Sequence, residues 1–148
     1  MTLHHGLGAI AALALASAAA PALAAPTVSL DTAVFVERNR SDAVRSLEPA
    51  QVLRRGERVV YVVTWYRLGG DGGFTITNPL PRGVAYQASA RDDDEVSVDN
   101  GRRWGRLADL RIGTRMATPE DVTHVRWRIT RPDAAQGRGR IAYSGIVR

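Results

Sequence analysis

The clearest structural signal in the chain is the segment Arg58-Val59-Val60-Tyr61-Val62-Val63-Thr64-Trp65-Tyr66-Arg67. It is rich in β-branched and aromatic residues and has neither glycine nor proline, which is typical of a β-strand. Side chains alternate along a strand, so one face carries Val59, Tyr61, Val63 and Trp65, and the other carries Val60, Val62, Thr64 and Tyr66. Because both faces are largely apolar, the strand is either covered on both sides or exposes Val60, Val62 and Tyr66 to a partner.

Strand-like segments recur on both sides of this one between turn signals, and no long segment has helical periodicity. The predicted strands are Val28–Val36, Arg58–Arg67, Phe74–Thr77, Val84–Ala88, Val96–Val98, Arg103–Ile112, Val122–Thr130 and Arg140–Val147. Short strands in this number are typical of a sandwich. The sequence therefore predicts an all-β fold, an antiparallel β-sandwich of about seven to eight strands.

Two connecting segments are less regular. Arg38–Leu53 is predicted as either one or two helical turns that end at Pro49 or a long crossover loop. The helical turns would contain Asp42, Ala43, Val44 and Leu47. Pro132–Gly139 is rich in glycine, alanine and proline, which indicates a hairpin loop between the last two strands.

The first 24 of the 148 residues are typical of a secretory signal. They contain no charged side chain and end in Ala22-Leu23-Ala24, a small-x-small pattern that signal peptidase recognises. The apolar run is too short and too rich in alanine for a good membrane span, although a buried helix is an alternative. We expect cleavage before Ala25, which leaves residues 25–148 as one domain without an integral membrane span.

The composition limits the chemistry of that domain. It has no cysteine, which excludes disulfides and thiolate metal sites, so the fold depends on packing. The net charge is +5 and every basic residue is arginine. Arginine suits planar anions, although a GC-rich genome produces the same bias. No cofactor is expected.

Two motifs resemble a known family. They are the Gly-Glu-x-Val-x-Tyr pattern within Arg55–Thr64 and the Asn-Pro-Leu-Pro-x-Gly-Val-x-Tyr pattern within Thr77–Tyr86. Both are similar to motifs of a bacterial surface repeat catalogued as domain of unknown function number eleven, and the resemblance extends over about Val52 to Val147. It implies an immunoglobulin-like fold with a rigid proline corner, after which Gly83 releases the chain into the next strand. The chain departs from the family at Asn78, where the motif has Asp, and in the expectation that the domain stands alone rather than in tandem.

The last two predicted strands carry arginines on one face. Alternation directs Val125, Trp127 and Ile129 to the core and His124, Arg126 and Arg128 outward, with Arg138 and Arg140 outward on the following strand. If the two strands pair, Arg126, Arg128, Arg138 and Arg140 form one basic face that could bind anions. We expect anionic polysaccharide or lipopolysaccharide phosphate rather than nucleic acid, because the domain is expected to be exported.

Ser97-Val98-Asp99-Asn100-Gly101-Arg102-Arg103-Trp104 has the Ser-x-Asp-x-Gly-x-x-Trp spacing of the Asp-box, a hairpin motif of sialidase-type propellers. A propeller needs several blades and a much longer chain. We therefore interpret Ser97, Asp99, Gly101 and Trp104 as a structural hairpin and infer no glycosidase from them.

The acidic run Asp92–Glu95 is predicted as a solvated loop, with a calcium site as the alternative. Catalysis is not expected, because the domain has one histidine, His124, no cysteine and scattered carboxylates. The predicted function is that of an exported module of the cell envelope, periplasmic or secreted, with a structural or binding role. The alternatives are a subunit of a surface assembly, a polyanion-binding accessory protein and, least favoured, a hydrolase. Its partners would be other envelope proteins or anionic polysaccharide.

Overall fold

The computed structural model describes residues 27–41 and 44–148, so the predicted signal segment, residues 1–24, lies outside the described residues. The strands are β1 (Val28–Ser41), β2 (Val44–Pro49), β3 (Arg58–Arg67), β4 (Phe74–Pro79), β5 (Val84–Ser89), β6 (Glu95–Ser97), β7 (Arg111–Ile112), β8 (Arg115–Met116), β9 (His124–Ile129) and β10 (Arg138–Val147). The described helical elements are α1 (Arg131–Ala134) and two 3-10 turns, Leu107–Asp109 and Pro119–Asp121.

The strands form two main antiparallel sheets. The large sheet has the order β2-β1-β3-β10-β5, and the small sheet has the order β4-β9-β6. The strands β7 and β8 pair only with each other, as a separate short hairpin. This architecture confirms the predicted all-β, antiparallel sandwich-like fold, while the immunoglobulin-like topology that the resemblance implies stays a prediction.

The core lies between the large and the small sheet. The strand β3 buries Val59, Tyr61, Val63 and Trp65, and β9 buries Val125, Trp127 and Ile129, which confirms both predicted alternations. Tyr143 of β10 joins the two sheets, because its ring stacks on Tyr61 at 4.8 Å and packs against Trp127 at 5.4 Å. The side-chain amide of Asn78 donates a 2.6 Å hydrogen bond to the Tyr143 hydroxyl from the opposite sheet.

The segment predicted as a helix or a crossover loop is a β-hairpin instead. The strand β1 continues to Ser41, and β2 then returns antiparallel to it, with Glu37 opposite Leu47. Charges on neighbouring strands support this pairing, since Arg45 lies 3.4 Å from a Glu37 carboxylate oxygen. Both predictions for the segment are therefore wrong, and of the proposed helical residues Asp42 and Ala43 lie outside the described residues.

The prediction of one continuous strand over Arg103–Ile112 is also wrong. After an isolated bridge at Gly105, the chain forms the 3-10 turn Leu107–Asp109 and only then the two-residue strand β7. Leu107 and Leu110 both pack against the core at a spacing of three residues. Side chains three apart share a side of a 3-10 turn, which explains why alternation did not apply here.

The predicted hairpin loop Pro132–Gly139 connects two different sheets. It contains most of α1, whose N-terminus is capped by the Thr130 hydroxyl accepting a hydrogen bond from the Asp133 backbone N–H. The strand β9 before it belongs to the small sheet and β10 after it to the large sheet. The last two strands therefore do not pair, and the condition for one continuous basic face is not met.

The structure shows no requirement for glycine at position 83, where the chain turns into β5. The φ of Gly83 lies outside the left-handed region, and a Cβ placed on it would meet no atom within 4 Å. The turn there is closed by the Val84 backbone N–H, which donates to the Pro81 carbonyl at 2.9 Å. Any residue with ordinary backbone geometry fits this position, so the glycine is not required to reach β5.

Candidate functional site

The outer face of the large sheet is apolar along its three central strands, β1, β3 and β10. The register aligns Ala33, Val62 and Ala142 across β1, β3 and β10, with Phe35 and Val60 in the adjacent row. We call these five residues the apolar stripe. Ala33 is exposed and the other four are half-buried, although they point away from the small sheet. A sheet face that is open to water usually carries polar side chains, so the stripe is an unusual feature.

Charged and aromatic residues flank one end of the apolar stripe. Asp31 of β1 and Arg140 of β10 lie on either side of Thr64, and all three share the outer face. Neither Asp31 nor Arg140 has a polar side-chain partner among the side chains that the structure describes. Tyr66, which is 41% exposed, lies next along β3 opposite Arg138. The end of the stripe therefore offers both signs of charge without internal neutralisation.

Sequence reasoning singled out Val60, Val62 and Tyr66 on this face but missed the contributions of β1 and β10. The signal that could have found them is the alternation of Asp31, Ala33 and Phe35 with Val34 and Val36 in β1. Alternation identifies the residues that share a face of one strand, but it does not identify the neighbouring strand. That Ala33 and Ala142 lie beside Val62 follows only from the pairing of both β1 and β10 with β3.

The four arginines of the predicted anion-binding face lie on two different outer faces. Arg126 and Arg128 project from β9 on the small sheet, whereas Arg138 and Arg140 project from β10 on the large sheet. The single face predicted from the sequence is therefore wrong, because β9 and β10 do not pair. Arg138 and Arg140 remain together and line a shallow depression of about 270 Å³ with Thr64 and Tyr66.

The outer face of the small sheet is covered by its own chain around Arg126. The Arg126 Nε lies 2.8 Å from a Glu95 carboxylate oxygen, and its guanidinium lies 4.4 Å from the centre of the Trp104 ring. The ring of His124 meets Trp104 edge-on at 6.3 Å. These contacts hold Arg126 between an acid and an aromatic ring, so its charge is already partnered.

The segment Ser97–Trp104 forms a tight turn that holds Trp104 in this position. The Ser97 hydroxyl is fully buried and donates to Asp99, whose Oδ1 also accepts from the backbone N–H groups of Arg102 and Arg103 at 3.1 and 2.9 Å. Asn100 and Gly101 have φ values of 59° and 83°. The Trp104 indole N–H donates to the Gly101 carbonyl at 2.8 Å. Each motif residue thus has a contact within the turn itself.

The acidic run Asp92–Glu95 sends its carboxylates to different partners. Asp93 accepts two hydrogen bonds from Arg91, Asp94 accepts one from the Tyr86 hydroxyl, and Glu95 pairs with Arg126. The Arg91 guanidinium holds the pKa of Asp93 below its ordinary value. Within the described ranges, no group of three acidic or histidine side chains is arranged to hold a metal ion. The run does not converge on one point, which is what a calcium ion requires.

A cleft of about 540 Å³ lies between the edges of the two sheets. Tyr86 lines it and donates a 2.6 Å hydrogen bond to Asp94. Burial, followed by the bond to Asp94, raises the pKa of Tyr86, so the phenol stays protonated and is a poor base. His124 lies elsewhere, with its Nδ1 3.0 Å from the Thr123 hydroxyl and Trp104 beside it. The tyrosine and the histidine are thus not brought together as an acid and base pair.

Comparisons with known proteins assign no family to this chain. No family model matches it, and neither a curated protein nor a solved structure does so. The resemblance to the bacterial surface repeat therefore stays a prediction. In the part of the chain that the structure describes, no helix is long and apolar enough to cross a membrane.

Proposed function

We propose that the protein is an exported module of the cell envelope that has no catalytic activity and binds another protein through the outer face of the large sheet. The observation that carries this proposal is the apolar stripe, with the unpaired charges of Asp31, Arg138 and Arg140 at one end. Protein interfaces commonly combine an apolar centre with a charged rim. The sequence contributes the expectation of export, through the signal-like residues 1–24.

Export is tested by the mass of the protein in cell fractions. We expect periplasmic or secreted material to begin at Ala25, because Ala22-Leu23-Ala24 ends the apolar run. Intact-mass measurement of each fraction decides this. A full-length protein that begins at Met1 and stays in the cytoplasm would contradict export, and the choice of envelope partners would then be wrong.

Docking is tested by a photo-crosslinking amino acid placed at Val62 in cells that produce the protein. Val62 lies in the centre of the apolar stripe, so we expect it to form adducts with a bound protein, identified by mass spectrometry. The matched control is the same amino acid at Thr75, which is exposed on the outer face of the small sheet. Equal and low adduct yields at the two positions would show that the stripe is not a binding surface.

An anionic polysaccharide is a second candidate ligand, favoured by the depression that Arg138, Arg140 and Tyr66 line. Dextran sulfate serves as the probe. Replacing both Arg138 and Arg140 with alanine should weaken its binding in low salt, because both guanidinium groups are exposed. The control replaces Arg126 and Arg128, and an equal loss in both double variants would indicate attraction by net charge alone.

A further inference from the structure

The chemistry of the outer face identifies the kind of partner that fits it, and this inference rests on the proposed function. We propose that the outer face of the large sheet binds the same face of a second copy of the chain, around a two-fold axis that runs along β3. In this arrangement Asp31 of each copy lies against Arg140 of the other.

The position of the charges relative to β3 makes the face self-complementary. Asp31 and Arg140 both align with Thr64, one on β1 and one on β10. They are separated by two strand spacings, about 10 Å, so they do not neutralise each other within one chain. A rotation about β3 exchanges the β1 side with the β10 side, which brings each carboxylate onto a guanidinium of the second copy.

The same rotation matches the apolar residues by size. Val62 and Val60 lie on the axis and meet their own counterparts, and Ala33 of one copy faces Ala142 of the other. Phe35 faces the position of Ser144, a small residue that is buried in the monomer and accepts a hydrogen bond from Arg58. Beside the axis, Phe35 thus meets a small residue and the two alanines meet each other, so no two large side chains collide there.

The alternative two-fold axis, across the strands, is disfavoured by charge. It would turn the sheet end for end, so that Asp31 would face Phe35 and Arg140 would face Ser144. Both charges would then be buried without an opposite partner, which is strongly unfavourable. Of the two axes that keep the strands aligned, only the axis along β3 satisfies Asp31 and Arg140 together.

The size of the face predicts a weak dimer. Only β1, β3 and β10 lie side by side at the level of Asp31 and Arg140, and each outer strand pairs with β3 over nine residues. A patch of these dimensions gives an interface of about 900 Å² in total, below the usual range of specific protein interfaces. Sedimentation equilibrium of the protein in its natural processed form, over a wide concentration range, should therefore show reversible dimerisation. A monomer at every concentration would overturn the proposal.

Charge exchange tests the pairing itself. The variants D31R and R140D should each weaken the dimer by roughly tenfold or more, because like charges then face each other. Mixing the two variants should restore association as a heterodimer, in which each copy supplies the sign that the other needs. A contact within one chain could not produce that result. If the mixture associates no better than either variant alone, the two-fold arrangement is wrong.

Two further variants locate the interface. V62R places a charge on the axis and should abolish dimerisation, whereas T75R on the outer face of the small sheet should leave it unchanged. Circular dichroism must show that both fold like the wild type. Dimerisation that survives in V62R would overturn the proposal. If Val62 crosslinks in cells to a different protein while the purified protein stays monomeric, the proposed function stands and this inference is wrong.

Discussion

Arg126, on the outer face of the small sheet, and Arg138 and Arg140, on the outer face of the large sheet, are in opposite circumstances. On the small sheet, Arg126 is held between Glu95 and the ring of Trp104, which the turn after β6 brings over the strands. On the large sheet, Arg138 and Arg140 have no side-chain partner within the described residues and lie beside an apolar stripe. The difference shows that the arginines of a basic chain are not equally available for binding. The tertiary contacts decide which charges remain free.

The largest expected effect tests which side of β9 is the outer side. Trp127 is completely buried, and its indole N–H donates to the Ser89 hydroxyl at 3.0 Å. Trp127→Ala should lower the free energy of unfolding by about 3 to 5 kcal/mol in a urea titration. Arg128→Ala, the control from the exposed side of the same strand, should change it by no more than about 0.5 kcal/mol. The reverse pattern would mean that the faces of β9 are inverted and that the comparison of outer faces fails.

A second effect tests the side of β10 on which Arg138 and Arg140 lie. Gly139 between them points inward, and a Cβ there would lie 2.5 Å from the Trp65 ring. Gly139→Ala should therefore destabilise the protein by about 1 to 3 kcal/mol, measured by urea titration, because the core has no room for it. Gly83→Ala is the matched control and should be tolerated, since its added Cβ meets no atom within 4 Å. Equal stability of the two variants would show that Gly139 does not pack on Trp65.

A smaller effect separates the two kinds of arginine directly. Arg126→Ala removes a part-buried ion pair and a contact with the Trp104 ring, so we expect a loss of about 1 to 2 kcal/mol. Arg140→Ala removes no such contact from the monomer and should cost less than about 0.5 kcal/mol. Urea titration under monomeric conditions measures both. A double-mutant cycle of Arg126→Ala with Glu95→Gln should show that part of the Arg126 effect comes from the ion pair with Glu95. A coupling free energy near zero would mean that this ion pair does not stabilise the protein.

The smallest effect concerns the acid sensitivity of the turn that carries Trp104. A hydrogen bond from the Arg103 backbone N–H is the main reason that the pKa of Asp99 lies below its ordinary value of 3.8. Because the folded-state pKa is the lower one, Asp99 stabilises the fold above about pH 4, and this contribution disappears as the pH falls through the folded value. The urea midpoint of D99N should therefore lie below that of the wild type at pH 6 and approach it at lower pH.

The control for this pH series is D92N, because the Asp92 side chain is exposed and has no polar partner among the described residues. Its midpoint should follow the wild type at every pH. If D99N and D92N behave alike, the hydrogen bonds of Asp99 do not stabilise the turn, and the position of Trp104 over Arg126 would need another explanation.

Local patterns predicted much of the fold. The alternation in β3 and β9 identified their buried faces correctly, because the direction of a side chain along a strand depends only on its own backbone. The prediction was wrong where local patterns are ambiguous. In Val44–Pro49, the pairing with β1 overrides the weak helical pattern. In the segment 103–112, the two leucines that pack on the core are three residues apart, so their spacing does not follow the alternation of a strand.

The candidate site was less predictable than the fold. Val60, Val62 and Tyr66 stood out because they make the second face of a central strand apolar, but Asp31, Ala33 and Ala142 lie on strands distant in sequence. Likewise, Arg126 and Arg140 appear equivalent in the sequence, since each alternates with core residues. Only the proximity of Glu95 and Trp104 to Arg126 distinguishes them.

The amino-acid sequence by itself determined that the chain is all-β, which faces of β3 and β9 are buried, and that the basic charge is carried by arginine alone. Only the tertiary structure decided that β9 and β10 belong to different sheets and that β1 and β10 both flank β3. The physical reason is that the backbone groups that pair two strands are the same in every residue except proline. Side-chain alternation therefore specifies the faces of a strand, whereas its neighbours are selected by the packing of the whole chain.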